Sequence, residues 1–406
     1  MKEIILINIS GHDKPGLTSS LGSVLAAHDI RILDIGQAVV HEALALGMLI
    51  EVPHGTGFTA IKKDLIVRAH ELDIQIRFSK ISTEQFHHWA AAQAKERYII
   101  TILGREITAE QLSRVSTIIS ENNLNIDRIE RLSGRLSLAT SSATNACIEF
   151  RVSGQPHSTD EMRAALLALT HELSIDIAFQ RESIYRRNRR LFAFDMDSTL
   201  IQAEVIDELA KLKGAGDQVA KITEAAMRGE LDFKQSFTKR VALLKGLHEE
   251  RVKDVLNTIP LATGAERLIS TLKSLGYKTA ILSGGFSFFG KYLQSRLGID
   301  YVHANELEIM NGEVTGEVGA EIVDGARKAE LLREIAQREN ISLDQVVAVG
   351  DGANDLPMLN IAGMGIAFHA KPLVRKSANH AVSFLGLDSI LYLIGVRDRD
   401  LAAIES

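Results

Sequence analysis

One cysteine, Cys147, stands in a chain of 406 residues. A lone thiol excludes an intramolecular disulfide and a thiolate metal cage, so a reducing cytoplasm is the expected setting. Excess positive charge is lacking too. The formal net charge of −6 argues against a general electrostatic grip on nucleic acid or on an anionic membrane. No apolar run approaches the roughly 20 residues that span a bilayer; Ala43 to Val52 is the most apolar later stretch. The start, Met1-Lys2-Glu3 followed by Ile4 to Ile9, offers neither a long apolar h-region nor a small-residue cleavage site. No P-loop or dinucleotide fingerprint occurs. The expected partners are therefore small polar ligands, with no nucleic acid and no membrane.

What is present fits an ordinary globular protein: 46% hydrophobic and 24% charged residues, enough to fill the cores of two or three compact units. The first 180 or so residues contain a two-fold repeat, each half reading strand, helix, two strands, helix, strand. In the first half Ile4 to Ile7 precedes a helix with Leu17, Leu21, Val24 and Leu25 on one face, then the strand Ile30 to Ile35. In the second, Tyr98 to Leu103 precedes Leu112, Val115, Ile118 and Ile119, then Leu124 to Ile129. Residues 56–73 and 158–174 supply the second helices, and 74–81 and 175–183 the last strands. Each half reads as a ferredoxin-like βαββαβ unit.

Beyond about residue 190 strands alternate with helices, ending on Val346 to Gly350 and Gly365 to Phe368, the pattern of a parallel α/β sheet. A mostly helical insertion, about 202–260, follows the strand Leu191 to Phe194. It is expected over the carboxyl ends of the strands, where such sheets bind ligands. The expected organisation is thus 1–85 and 95–184 for the two repeats and 190–400 for the α/β unit.

The chemistry begins where that first strand ends, in Asp195-Met196-Asp197-Ser198-Thr199. Two carboxylates one residue apart reach the same crevice if the chain leaves the strand's alternation there. An isolated D-x-D is more often an Asx turn, but this one has company. The strand Val346 to Gly350 runs into Asp351-Gly352-Ala353-Asn354-Asp355, acidic and amide groups suited to a hard cation. Lys278 to Leu282 ends in Ser283-Gly284-Gly285, whose hydroxyl and backbone N–H groups suit phosphate oxygens. Lys328 opens a helix running to Glu339 and by itself reads as a solvated surface charge.

Taken together, these four segments resemble the four motifs of the haloacid-dehalogenase superfamily, in order across residues 191–370. The run from Asp195 through Glu204, Met227, Phe233 and Arg240 to Asp355 is similar to bacterial phosphoserine phosphatases, and the N-terminal repeat resembles paired ACT regulatory domains. The resemblance implies a Rossmann-like core with a helical cap behind two ACT-like domains. It also implies hydrolysis of O-phosphoserine to serine, the last step of serine biosynthesis, through an aspartyl-phosphate. Asp195 is then the nucleophile and Asp197 the general acid/base. Mg²⁺ is held by Asp195, the backbone carbonyl of Asp197 and Asp351. Ser283, Gly284, Lys328 and Asn354 hold the phosphoryl group, with Asp355 in support. In the cap, Glu204 meets the substrate ammonium, Arg240 takes its carboxylate bidentately, and Met227 and Phe233 exclude water, although on periodicity alone the last two read as helix packing.

The turn Gly11 to Leu17 is similar to the amino-acid-binding turn of ACT domains. This makes Asp13 and Gly16 the expected effector residues, with serine the expected effector, although a plain well-made turn would look the same. The second repeat lacks the proline and glycine there. Pairing of ACT sheets suggests a homodimer. Arg186 to Arg190 reads as a solvated interdomain segment, and His87-His88-Trp89, without further ligand pattern, as a linker. Two rival readings stand beside phosphoserine hydrolysis: another phosphatase or phosphotransferase of the same fold, and an amino-acid sensor with a vestigial phosphatase half.

Overall fold

Alternating Ile5, Ile7 and Ile9 bury one face of the first strand, and Leu17, Leu21 and Leu25, spaced at four residues, bury one stripe of the helix that follows. The structure, a computed structural model, describes residues 3–53, 57–91, 95–135, 145–319 and 321–405. Met1, Lys2 and the expected helix start at residue 56 lie outside them. The chain forms two compact units, residues 1–95 and 96–406.

The first unit runs β1 (Glu3–His12), α1 (Leu17–Ala27), β2 (Arg31–Val40), β3 (Ala43–Val52), α2 (Phe58–Glu71), β4 (Ile74–Ile81) and α3 (Thr83–Ala91). Its antiparallel sheet has the order β2-β3-β1-β4. The segment expected to link the repeats, around His87 to Trp89, lies in the helix α3, in which Phe86 and Trp89, one turn apart, bring their rings to 5.8 Å.

The second unit opens with the same arrangement: β5 (Arg97–Gly104), α4 (Ala109–Glu121), β6 (Leu124–Arg131), β7 (Ala146–Gly154), α5 (Thr159–Leu173) and β8 (Asp176–Arg181), in the sheet order β6-β7-β5-β8. Thr108 and Gln111 form a reciprocal capping box on α4, and Ser158 caps α5 through the Glu161 N–H. Both ferredoxin-like repeats are therefore present.

An α/β layer follows. It begins with β9 (Leu191–Phe194), then α6 (Val205–Lys213), α7 (Gly216–Met227), α8 (Phe233–Ala242) and α9 (Glu249–Thr258), which form the helical insertion. After these come α10 (Ala265–Ser274), β10 (Lys278–Phe286), α11 (Ser287–Leu297), β11 (Tyr301–Asn305), β12 (Leu307–Met310), β13 (Glu313–Val318), α12 (Gly325–Arg338) and β14 (Val346–Gly350). The chain ends with α13 (Leu356–Ile361), β15 (Met364–Phe368), α14 (Pro372–Ser377), β16 (His380–Val382), α15 (Ile390–Leu393) and α16 (Asp398–Glu405). The parallel sheet has the order β11-β10-β9-β14-β15-β16, with β12 and β13 a separate hairpin. All four residues of β9 are buried, packed from both faces as a central parallel strand must be.

Arg186 and Arg189 overturn the expectation of a solvated basic segment: both are buried. Arg186 Nη2 donates to Glu149 Oε2 at 2.5 Å and its Nε to the Leu393 carbonyl, while Arg189 donates to the carbonyls of Asp344 and Gly363. Asp176 accepts the Ser383 and Phe384 N–H groups at 2.7 and 3.0 Å, adding to the joint between the second repeat and the α/β layer. Among the described residues no helix is long and apolar enough to cross a membrane.

Candidate active site

Phe194 pairs with Ile281 on one side and Val349 on the other. The segments after β9, β10 and β14 therefore leave the sheet at the same edge. Strand order reverses direction at β9, which makes this the crevice where open α/β sheets take ligands. Asp195 N–H still donates to the Val349 carbonyl at 2.9 Å. The chain then turns sharply: the N–H groups of Thr199, Leu200 and Ile201 converge on the Met196 carbonyl, and Ser198 takes the left-handed conformation at φ 56. That turn breaks the strand's alternation and brings Asp195 and Asp197 into one cavity.

At the floor, the fully buried Lys328 places Nζ 2.8 Å from Asp195 Oδ1 and 2.6 Å from Asp355 Oδ1. Burial pushes this ammonium down, but Asp195 and Asp355 outweigh it and hold it above its ordinary value. Asp355 is engaged on its other oxygen by the Gly352 N–H at 2.9 Å. Thr199 Oγ1 donates to Asp351 Oδ1 at 3.1 Å.

Carboxylate oxygens of Asp195, Asp351 and Asp355 lie within 4.8 Å of one another, an all-oxygen donor set that suits a hard cation. Burial, then Asp195, Asp355 and Glu204, push Asp351 up to about 8. Burial and Asp195 raise Asp355 to about 7 despite Lys328. Negative charge here exceeds what one ammonium balances, and a divalent cation would relieve it. The bonds of Asp195 and Asp351 fall on Oδ1, leaving Oδ2 of each as the freer donor, whereas both oxygens of Asp355 are occupied.

Asp197 accepts the Val205 N–H at 3.2 Å, and burial, then Glu204 and Asp195, hold its carboxyl well above the usual range. Its proton is therefore held more tightly than an ordinary aspartate's. Gly285 permits this arrangement, because a Cβ there would collide with the Asp197 carboxylate. The Ser283 hydroxyl accepts the Gly285 N–H at 2.9 Å, and the Asn305 amide braces the loop by donating to Gly284 O at 2.8 Å and accepting the Val323 N–H at 2.7 Å.

A cavity of about 970 Å³ joins this floor to the helical insertion. Its lining includes Glu204, Met227, Phe233 and Arg240 from the insertion and Ser283, Gly284 and Asn354 from the sheet edge. Arg240 is partly buried and its Nε has no hydrogen-bond partner among the described residues. Burial lowers its guanidinium against the opposing pull of Glu204, Asp207 and Asp197. Glu204 accepts the Ser198 hydroxyl at 3.0 Å and is raised by burial and by Asp195. Phe233 stacks on Phe237 at 6.0 Å and crowds Gly284, while Met227 is exposed at the rim.

The expected sheet-edge and cap residues thus line one cavity, except Lys328 and Asp355, which are fully buried, Lys328 bridging Asp355 to Asp195. Thr199 and Gly285, which stand within expected motifs without a role of their own there, belong to the same constellation, as does Asn305, which gives no local signal in the sequence. Asp13 and Gly16 lie elsewhere, in the first unit, where Gly16 at φ 91 starts α1. A nearby cavity of about 620 Å³ is lined by His12, Glu42, His70 and Asp73 among others, without Asp13 or Gly16.

Residues 189–363 match the model of haloacid dehalogenase-like hydrolases, and residues 3–79 and 97–180 each match an ACT domain. A phosphoserine phosphatase of Streptomyces coelicolor is 42% identical over 99% of this chain and 94% of its own length. Phosphoserine phosphatase SerB2 of Mycobacterium tuberculosis is 38% identical over 100% of this chain and 96% of its own. Among solved structures, a probable phosphoserine phosphatase from Vibrio cholerae superimposes with a TM-score of 0.58 at 35% identity, covering 77% of this chain and 90% of that one.

Proposed function

The chain belongs to the phosphoserine phosphatase family, with a haloacid dehalogenase-like hydrolase domain behind two ACT domains, and from that premise we propose that it hydrolyses O-phosphoserine through an aspartyl-phosphate formed on Asp195. The observation that carries the proposal is that Asp195, held by the buried Lys328 at 2.8 Å, and Asp197 line one cavity.

An Asp195 carboxylate oxygen attacks phosphorus as the serine oxygen departs. Asp197, whose burial favours the protonated form, transfers its proton to that leaving oxygen, so the bond to phosphorus breaks without releasing an alkoxide. The resulting Asp197 carboxylate then takes a proton from water, whose oxygen attacks the aspartyl-phosphate and restores both groups. Lys328, the Ser283 hydroxyl, the Gly284 N–H and Asn354 bind the phosphoryl oxygens. Asp195, Asp351 and the Asp197 carbonyl would hold Mg²⁺, which supplies positive charge against the phosphoryl oxygens when bound. Asp355 keeps Lys328 in position. At the other end of the cavity Glu204 pairs with the substrate ammonium and Arg240 with its carboxylate, while Phe233 and Met227 limit water. Serine production makes feedback through the ACT turn at Asp13 and Gly16, in a cytoplasmic homodimer, the natural extension of this reading.

The experiment is phosphate release from a panel of esters by protein stripped of divalent ions and resupplied with Mg²⁺. Phosphoserine turnover that returns only with the ion, and exceeds that of sugar phosphates and nucleotides, is the expected result; equal turnover of all esters would contradict it.

A further inference from the structure

Where the second repeat meets the α/β layer, a cavity of about 540 Å³ opens between α5 and β8 on one side and α14 and β16 on the other. Its volume lies in the range of small-molecule sites. Its charged and ionisable lining is lopsided: Arg163, Arg375, Lys376, His171 and His380 face it, against the single carboxylate of Asp160, which is paired with Arg163 at 3.3 Å. Leu167, Ile177 and Phe179 add an apolar wall.

Three nitrogens here are buried without a hydrogen-bond partner among the described residues: Arg163 Nε, Arg375 Nε and His380 Nδ1. Buried polar groups left unmatched each cost about 1–3 kcal/mol, so native proteins seldom keep several together. His380 is only 8% exposed. Burial, then Arg163 and Arg189, drive its imidazole down to about 3, so the ring is neutral and offers one donor and one acceptor. Three unmatched nitrogens, surplus positive charge and an apolar wall describe the complement of an organic anion.

The cavity also shares an element with the active site. On α14, Pro372, Arg375 and Lys376 line this cavity, while Leu373 and Val374 line the catalytic one. Lys371, just before the helix, reaches Met227 Sδ in the helical insertion at 3.6 Å.

We propose that this cavity is a second binding site, for a small organic anion bearing a carboxylate or phosphate-like group on an apolar body, and that its occupancy alters turnover through α14. The coupling rests on the phosphatase reading above, whereas the binding does not.

The test uses the full chain with benzoate and phenylphosphonate as the two anionic probes and benzyl alcohol as the uncharged control, binding being read by calorimetry. Expected is saturable binding of at least one anion at low-millimolar concentration or tighter, none of the alcohol, and about a tenfold or greater loss of affinity in both Arg375→Gln and Arg163→Gln. Which anion binds more tightly identifies the head group. Both variants should retain the parent melting temperature within a few degrees, which separates loss of the site from loss of the fold. The bound anion should change kcat for phosphoserine in the parent and not in Arg163→Gln. Absence of saturable anion binding, or binding that both variants keep, overturns the site. Saturated binding with unchanged kcat overturns the coupling and leaves the phosphatase reading untouched.

Discussion

Lys328 Nζ lies 2.8 Å from Asp195 Oδ1, and neither side chain is more than 8% exposed. The second contact of that ammonium, Asp355 at 2.6 Å, makes it a bridge between two buried carboxylates. Removing one member of such a group leaves uncompensated buried charge.

Lys328→Met should therefore lower kcat/KM for phosphoserine by about 10²- to 10³-fold, the usual effect of losing a preorganised charge-stabilising donor. Lys328→Arg should not rescue it, because a fully buried side chain has no room for the planar fork. Steady-state kinetics with a melting curve for each variant checks this. Turnover within a few-fold of the parent would show that Lys328 is only structural.

Selectivity should reside in Arg240, whose Nε is buried without a partner among the described residues. Arg240→Ala removes a charge-assisted contact worth roughly 1.5–3 kcal/mol, so kcat/KM for phosphoserine should fall about 10- to 150-fold. Phosphoethanolamine, which lacks the carboxylate, should be hydrolysed almost as before. Equal losses on both substrates would make Arg240 a packing residue.

Asp176 gives the fold a pH dependence. Burial raises its carboxyl to about 6 from an ordinary 3.8, against the lowering effect of the Phe384 and Ser383 N–H groups. Since the folded chain holds the proton more tightly, this contribution is complete below about pH 4 and is lost as pH rises through about 6, amounting to about 3 kcal/mol in all. The difference in urea midpoint between pH 4 and pH 7 should shrink in Asp176→Asn relative to the parent. An unchanged difference would remove Asp176 from the account.

Much of this was legible in the sequence because it is local. The repeat shows in the spacing of Leu17, Leu21 and Leu25, and of Val115 with Ile119. The crevice shows in acidic and glycine residues placed at the ends of apolar strand runs. Lys328 is different: its spacing marks only a position in a helix, and its role came through family resemblance. Arg186 and Arg189 were misread because their partners, Glu149, Leu393, Asp344 and Gly363, are distant in sequence, so nothing nearby signals burial. The short β16 was missed for a related reason. His380-Ala381-Val382 has too few residues for a periodic pattern and is fixed by pairing with β15.

The central claim is that Asp195 carries the phosphoryl group. Acid quenching of the parent during turnover of phosphoserine labelled in its phosphate, followed by peptide mapping, should find label on Asp195 alone. Asp195→Asn should carry none and should lose about 10³-fold or more in kcat while melting at a similar temperature. Label on any other residue, or near-normal turnover by Asp195→Asn, would contradict the account.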